Sequence, residues 1–164
     1  MQQQRTLFLD LEDTVIDDFL KGPAAEPRHT SRVREFIATF QPDTVRIFSF
    51  AIYDEKDARA YEQFFQKWLQ DLLGVQLDDA ASVFRVDDLV SRVRARYKTH
   101  FESVSEYIQT MGKTLGFFQH IDTLDLRNQD IVLIDDAVTS GTRFGWTARN
   151  VQATLLNVTD LPSS

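Results

Sequence analysis

No cysteine occurs anywhere in the chain, which excludes disulfide bridges and thiolate-held zinc and fits a reducing compartment. Basic residues are also short, 18 against 25 acidic, for a formal charge of −7. No global field therefore draws the protein to nucleic acid or an anionic membrane, and a polyanionic partner would need a local basic patch. No apolar run reaches membrane-spanning length, and the opening MQQQRTLFLD places charge where a signal peptide would be apolar. Repeats, low-complexity segments and linkers are absent. These absences lead us to expect a soluble, cytoplasmic protein with no membrane partner. What the chain does have is apolar mass: 43% of its 164 residues are hydrophobic, 12% aromatic, with thirteen Phe, enough to fill the core of one domain spanning 1–164.

The most informative stretch is Thr6 to Asp17, TLFLDLEDTVID. It is an apolar run that ends abruptly in Asp10, Glu12, Asp13 and Thr14. As a strand it would alternate its side chains, putting Asp10 and Glu12 on one face and Leu9 and Leu11 on the other. Two acids carried on one face of a core strand repel unless a cation, a phosphate or a proton relieves them.

Further along, Asp17 to Thr30 holds Gly22, Pro23 and Pro27, the composition of a loop. Val33, Phe36, Ile37 and Phe40 step by three and four, predicting a short helix that Ser31 caps and Pro42 closes. Thr44 to Tyr53 reads as a second buried strand, interrupted by Ser49. Tyr61, Phe64, Phe65, Trp68, Leu69, Leu72 and Leu73 form a helical stripe stopped by Gly74, a core face. Ser82 to Val86 is a short strand candidate, and Val90 to Met111 a helix or helix pair reaching Gly112. Its Arg92, Arg94, Arg96 and Lys98 are the basic cluster, in most proteins a solvated face. Lys113 to Ile121 returns to helix, and Asp130 to Ile134 is an uninterrupted buried strand that ends in Asp135 and Asp136. Ala137 to Thr142 is a loop, Arg143 to Val151 a predicted helix and Ala153 to Val158 a last strand. Alternation of strand and helix predicts an α/β domain in three layers, a Rossmann-like parallel sheet with helices on both faces joined by right-handed crossovers.

In such a sheet, ligands bind beyond the carboxyl ends of the strands. Asp10, Glu12, Ser49, Asp135 and Asp136 all fall there. Carboxylates gathered in one cleft call for a hard divalent cation with oxygen ligands, and magnesium, which keeps several waters and needs few protein ligands, is the expected ion. His29, His100 and His120 show no ligand spacing and read as structural or exposed.

On these residues the chain resembles the haloacid dehalogenase (HAD-like) superfamily. LFLDLEDTVID is similar to its first motif, a hydrophobic strand followed by Asp-x-Asp-x-Thr. Ser49 resembles the second motif, Lys113 the basic third, and Asp135 with Asp136 the acidic fourth. The resemblance implies phosphohydrolase chemistry through an aspartyl phosphate. Asp10 would be the nucleophile, with Ser49, Thr14 and Lys113 binding the phosphoryl group, and Asp10, Glu12, Asp135 and Asp136 around magnesium. Glu12 stands where family phosphatases carry a second Asp as acid and base, one methylene longer, which shifts its carboxyl by about an ångström. The loop at 17–30 is too short for a cap domain, and a helical segment at about 54–112 would cover the site in part. The expected substrate is phosphorylated: a nucleotide, a nucleic acid end or a phosphoprotein.

Two rivals stand beside this reading. Ile131 to Thr142, IVLIDDAVTSGT, resembles the phosphoribosyl-diphosphate signature of type I phosphoribosyltransferases, in which the amides of Thr139 to Thr142 would cradle a phosphate at a helix N-terminus. A HAD-like binding module without catalysis is the other, suggested by Glu12. Gly112-Lys113-Thr114 does not make a phosphate loop, because Tyr107 stands where the required glycine belongs.

Overall fold

The apolar runs at 6–9 and 131–134, far apart in sequence, become adjacent strands. In the computed structural model, which describes residues 3–162, β1 is Gln4–Leu9, α1 Thr30–Phe40, β2 Thr44–Ile47, α2 Glu55–Tyr61, α3 Lys67–Leu73, α4 Val86–Tyr97, α5 Val104–Leu124, β3 Gln129–Asp135, β4 Arg143–Trp146 and β5 Val151–Asn157. One π-helical turn, Glu62–Gln66, joins α2 to α3. The described residues form a five-stranded sheet in the order β2-β1-β3-β5-β4, parallel except for β4. The protein is thus mixed α/β. No helix among the described residues is long and apolar enough to cross a membrane.

Strand alternation divides the core. Leu7 and Leu9 of β1 join a cluster with Val33 and Ile37 of α1 and Leu69 and Leu73 of α3. Phe8 joins a second with Val90 and Val93 of α4 and Phe117 and Ile121 of α5. The stripe from Tyr61 to Leu73 is therefore core, as its spacing implies.

Four local expectations are corrected. The second strand stops at Ile47, not Tyr53, because its partner β1 stops at Leu9. Phe48 N still reaches Leu9 O at 2.8 Å, but beyond it no neighbour remains to pair. Ser82 to Val86 is not a strand. Asp79 accepts from the Ala81 and Ser82 amides and the Ser82 hydroxyl, which bends the chain, and Val86 opens α4.

Arg143 to Val151 is not a helix. Arg143–Trp146 pairs antiparallel with β5, so Phe144 and Trp146 fall on one side, where both pack on Phe118 with centroids 5.2 and 5.1 Å away. The aromatic period there is two, not three or four. Finally, Ser31 sits inside α1, whose N-cap is His29 at φ 49° with no side-chain cap bond.

Candidate active site

Parallel pairing of β1 with β3, with Leu9 opposite Ile134, sets the next residues of both strands side by side. Asp10 and Asp135 follow from that register. Each offers a carboxylate oxygen within 4.8 Å of the other and of one from Asp136. Asp10 and Asp135 are 5% and 1% exposed, whereas Asp136 is partly open to solvent.

Between the two buried acids lies Lys113. Its Nζ is 2.9 Å from Asp10 Oδ1 and 2.9 Å from Asp135 Oδ2. The second contact is attraction without hydrogen-bond alignment, for Asp135 Oδ2 is buried and has no hydrogen-bond partner among the described residues. Asp135 Oδ1 accepts from Ala137 N at 2.8 Å. Burial works against the Lys113 ammonium, but Asp10 and Asp135 outweigh it and hold its pKa above the ordinary value. For Asp10 burial dominates, and its pKa rises despite Lys113. Burial likewise raises Asp135, against the pull of Lys113.

A kink delivers that lysine. Gly112 interrupts α5 at φ 69°, ψ −177°, a conformation favoured for glycine. The ammonium then lies 5.1 Å from the ring centroid of Phe48 and 4.9 Å from that of Phe50, cation–π contacts that strengthen when dry. One helical turn on, Gly116 leaves room for Phe50: a Cβ there would come within 2.8 Å of Phe50 Cζ. Gly116→Ala gains up to about 1 kcal/mol of helix propensity and loses about 1–3 kcal/mol to overpacking. We expect net destabilisation of about 1 kcal/mol, seen in thermal unfolding as a Tm lower by roughly 2–4 °C; an unchanged or raised Tm would show that the ring yields freely.

The first acidic stretch does not continue as a strand. Thr14, Val15 and Ile16 all turn their amides back to Leu11 O, at 3.2, 2.9 and 3.1 Å. Asp10 and Glu12 consequently do not share a strand face. Glu12 is half-buried and lines a cleft of about 390 Å³ with Asp10, Asp13, Ser49, Lys113 and Asp136. Its carboxylate is not among the three that cluster. Burial pushes its pKa up, against the Phe19 amide and with help from Asp18, Asp10 and Asp13. Thr14 is fully buried, and its hydroxyl donates to Asp10 Oδ2 at 3.1 Å. It orients the acid from beneath and is closed to any ligand. Ser49 is 1% exposed, borders the cleft, and accepts from Ala51 N at 3.2 Å. Asp13 takes φ 59°, the left-handed region where an Asp is tolerated and a Gly would be easier.

Several elements were not read from the sequence. Phe48 and Phe50 flank Lys113, and Asn157, opposite Asp135 in β5, donates to Asp136 O and Val138 O at 3.0 and 2.9 Å, fixing the acidic loop. A polar residue closing an apolar strand was the available signal for Asn157. Of the 54–112 segment, Ile108 is the α5 residue that reaches the cleft, and α2 and α3 contribute none of its lining among the described residues. The three arginines of the basic cluster are engaged internally. Arg92 binds Asp88, Thr123 and His120, Arg96 binds Asp122 and Asp125, and Arg94 binds Phe101 O. His120 is buried among Phe8, Phe48 and Phe84, which keeps it neutral, a structural histidine.

In the loop from Ala137 to Thr142, two of the four amides expected to cradle a phosphate are already bonded within the chain. Gly141 N is bonded to Leu155 O at 2.9 Å and Thr142 N to Thr139 O at 3.3 Å, and a strand follows where a helix N-terminus was expected.

Compared with known proteins, the chain matches no family model, no curated protein and no solved structure.

Proposed function

We propose that this is a metal-dependent enzyme of phosphoryl transfer, built as a single three-layer α/β domain with a Rossmann-like sheet and acting in the cytoplasm. Within that class, the reading is a HAD-like phosphohydrolase, a phosphomonoesterase that works through an aspartyl phosphate on Asp10. The observation that carries it is Lys113 held 2.9 Å from both Asp10 and Asp135 at the carboxyl ends of neighbouring parallel strands, with Asp136 alongside. Two of the side chains involved lie 103 residues apart in the chain.

The donor set fits magnesium. Three hard carboxylate oxygens gather from Asp10, Asp135 and Asp136, the all-oxygen donor set that suits a hard divalent cation. Asp10, Asp135 and Asp136 would hold the ion, whose contribution is neutralisation of phosphoryl charge. The chain's own residues do the rest. Thr14 and Lys113 hold the Asp10 carboxylate in one orientation for attack on phosphorus. Lys113 and the Ser49 hydroxyl stabilise the equatorial oxygens. Glu12 gives its proton to the departing oxygen and later takes one from water.

The test is magnesium-dependent hydrolysis of p-nitrophenyl phosphate. A folded protein without activity would favour the binding module instead. Magnesium should also raise the Tm of the protein. At a concentration about 100 times its Kd, binding contributes about 2.7 kcal/mol, or roughly 5–10 °C in a chain of this size; no shift up to tens of millimolar would argue against the site.

Glu12 supplies a pH signature. Its raised pKa keeps it protonated to higher pH than an ordinary carboxyl. Hydrolysis that needs this proton is present at acidic pH and is lost as pH rises through the Glu12 pKa. Glu12→Gln should flatten that alkaline limb, and Glu12→Asp should keep or raise activity, as read from kcat against pH. A wild-type limb retained in Glu12→Gln would assign the proton elsewhere.

A further inference from the structure

Resting on that phosphatase reading, we infer that the leaving group is an aromatic ring on a neutral or basic protein segment, the chemistry of a phosphotyrosyl side chain. The residues around the cleft divide by kind. Asp10, Glu12, Asp13 and Asp136 are acidic, while Phe50, Ala51, Tyr53 and Ile108 are apolar or aromatic. Phe50, Ala51 and Tyr53 come from the connection between β2 and α2, and Ile108 from α5. Tyr53 is 41% exposed at the edge of this cleft, so its ring is open to a bound group. Aromatic surface next to the phosphoryl position favours a ring by stacking and burial.

Charge narrows the carrier. Lys113 is the cation among the described lining residues, and its ammonium is already shared by Asp10 and Asp135. Arg28 meets Asp13 at 3.0 Å, but both are more than half exposed, so that pair is screened and weak. A second phosphate in this cleft would meet four acids, and none of the described lining residues supplies a free cation to neutralise it. Nucleoside diphosphates and nucleic acid ends are therefore disfavoured, and lysines or arginines around the phosphorylated residue are favoured.

The chemistry agrees. Asp10 attacks phosphorus, the bond from phosphorus to the ring oxygen breaks, and that oxygen takes the Glu12 proton. Water then attacks phosphorus and gives its proton to Glu12, and the bond to Asp10 breaks to release inorganic phosphate. A phenol, with a pKa of about 10, leaves with less proton assistance than an aliphatic alcohol, so an acid one methylene longer than Asp is adequate for it.

Affinity for the Asp10→Asn protein in magnesium separates these preferences without the inherent lability of aryl esters. The probes are a lysine-flanked phosphotyrosyl peptide, its glutamate-flanked counterpart, the lysine-flanked phosphoseryl peptide and a 5′-phosphorylated oligonucleotide. We expect the first to bind at least about tenfold more tightly than each of the others. Tyr53→Ala, made in the same background, should bring the tyrosyl-to-seryl ratio towards one. Equal binding of the seryl and tyrosyl peptides, or tighter binding of the oligonucleotide, overturns the inference. If wild type hydrolyses p-nitrophenyl phosphate but prefers the oligonucleotide, the phosphatase reading stands and this one falls. If it hydrolyses neither p-nitrophenyl phosphate nor any probe, both fall.

Discussion

Asp10→Asn should abolish hydrolysis, lowering kcat by at least about 10⁴-fold, because an amide oxygen cannot open the covalent route and residual rates reflect binding and electrostatics alone. The substitution suits this site because it spares the fold. Asp10 Oδ1 accepts from Lys113 and Oδ2 from the Thr14 hydroxyl. An asparagine can keep the first bond through its carbonyl and satisfy the second by donating to the same hydroxyl, which serves as donor or acceptor. It also removes one of three clustered negative charges, and burial already raises the Asp10 pKa. The variant's Tm should therefore stay close to that of wild type, because relieved repulsion offsets the weakened pairing with Lys113, which keeps Asp135. Steady-state hydrolysis of p-nitrophenyl phosphate with magnesium, beside thermal unfolding of both proteins, decides it. Equal rates would remove Asp10 as nucleophile.

Lys113→Met is the second large effect, and here stability changes as well. The Lys113 side chain is 11% exposed, those of its partners 7% and 1%, so solvent screens little of the interaction. Breaking a buried pair by removing one partner costs about 3–5 kcal/mol, since the other charge stays buried. The Tm should fall by roughly 6–20 °C. By contrast Lys67 and Asp71, 3.7 Å apart and 86% and 70% exposed, form a pair whose loss should be close to neutral. The pH dependence has a definite sign. In the variant, Asp10 and Asp135 lose the cation that lowers their pKa values, so the folded state takes up protons more readily than the unfolded chain. Its deficit against wild type should be largest at neutral pH and shrink as pH falls through the raised carboxyl pKa values. A deficit that does not vary with pH, or a Tm within about 2 °C of wild type at neutral pH, corresponding to less than about 1 kcal/mol, would show that the triad is not coupled as described.

Much of the architecture was legible because it is local. TLFL, DIVLI and ATLLNV are continuous apolar runs that belong to buried parallel strands, and the spacing of Val33 and Ile37 or Leu69 and Leu73 marks helix faces whatever lies beyond them. Asp10 and Asp135 could be named because an acid that follows such a run must lie at a strand's carboxyl end. The misread places are those where a neighbour decides. Arg143–Trp146 is too short for its two aromatics at period two to settle its structure, and it became a strand by pairing with β5. The second strand shortened because β1 ended first.

By itself, then, the sequence determined the kinds of elements and which acids end them, since period and polarity act within a few residues. Only the tertiary structure decided that Thr14 supports Asp10 from below, that Glu12 parts from it, and that one lysine from a kinked helix lies between acids on two strands. The last depends on strand order and on a contact across more than a hundred residues of chain, which packing settles and no short window contains; the first two lie within Asp10 to Ile16, but there the turn back to Leu11 O overrides the strand alternation that the residue pattern suggests.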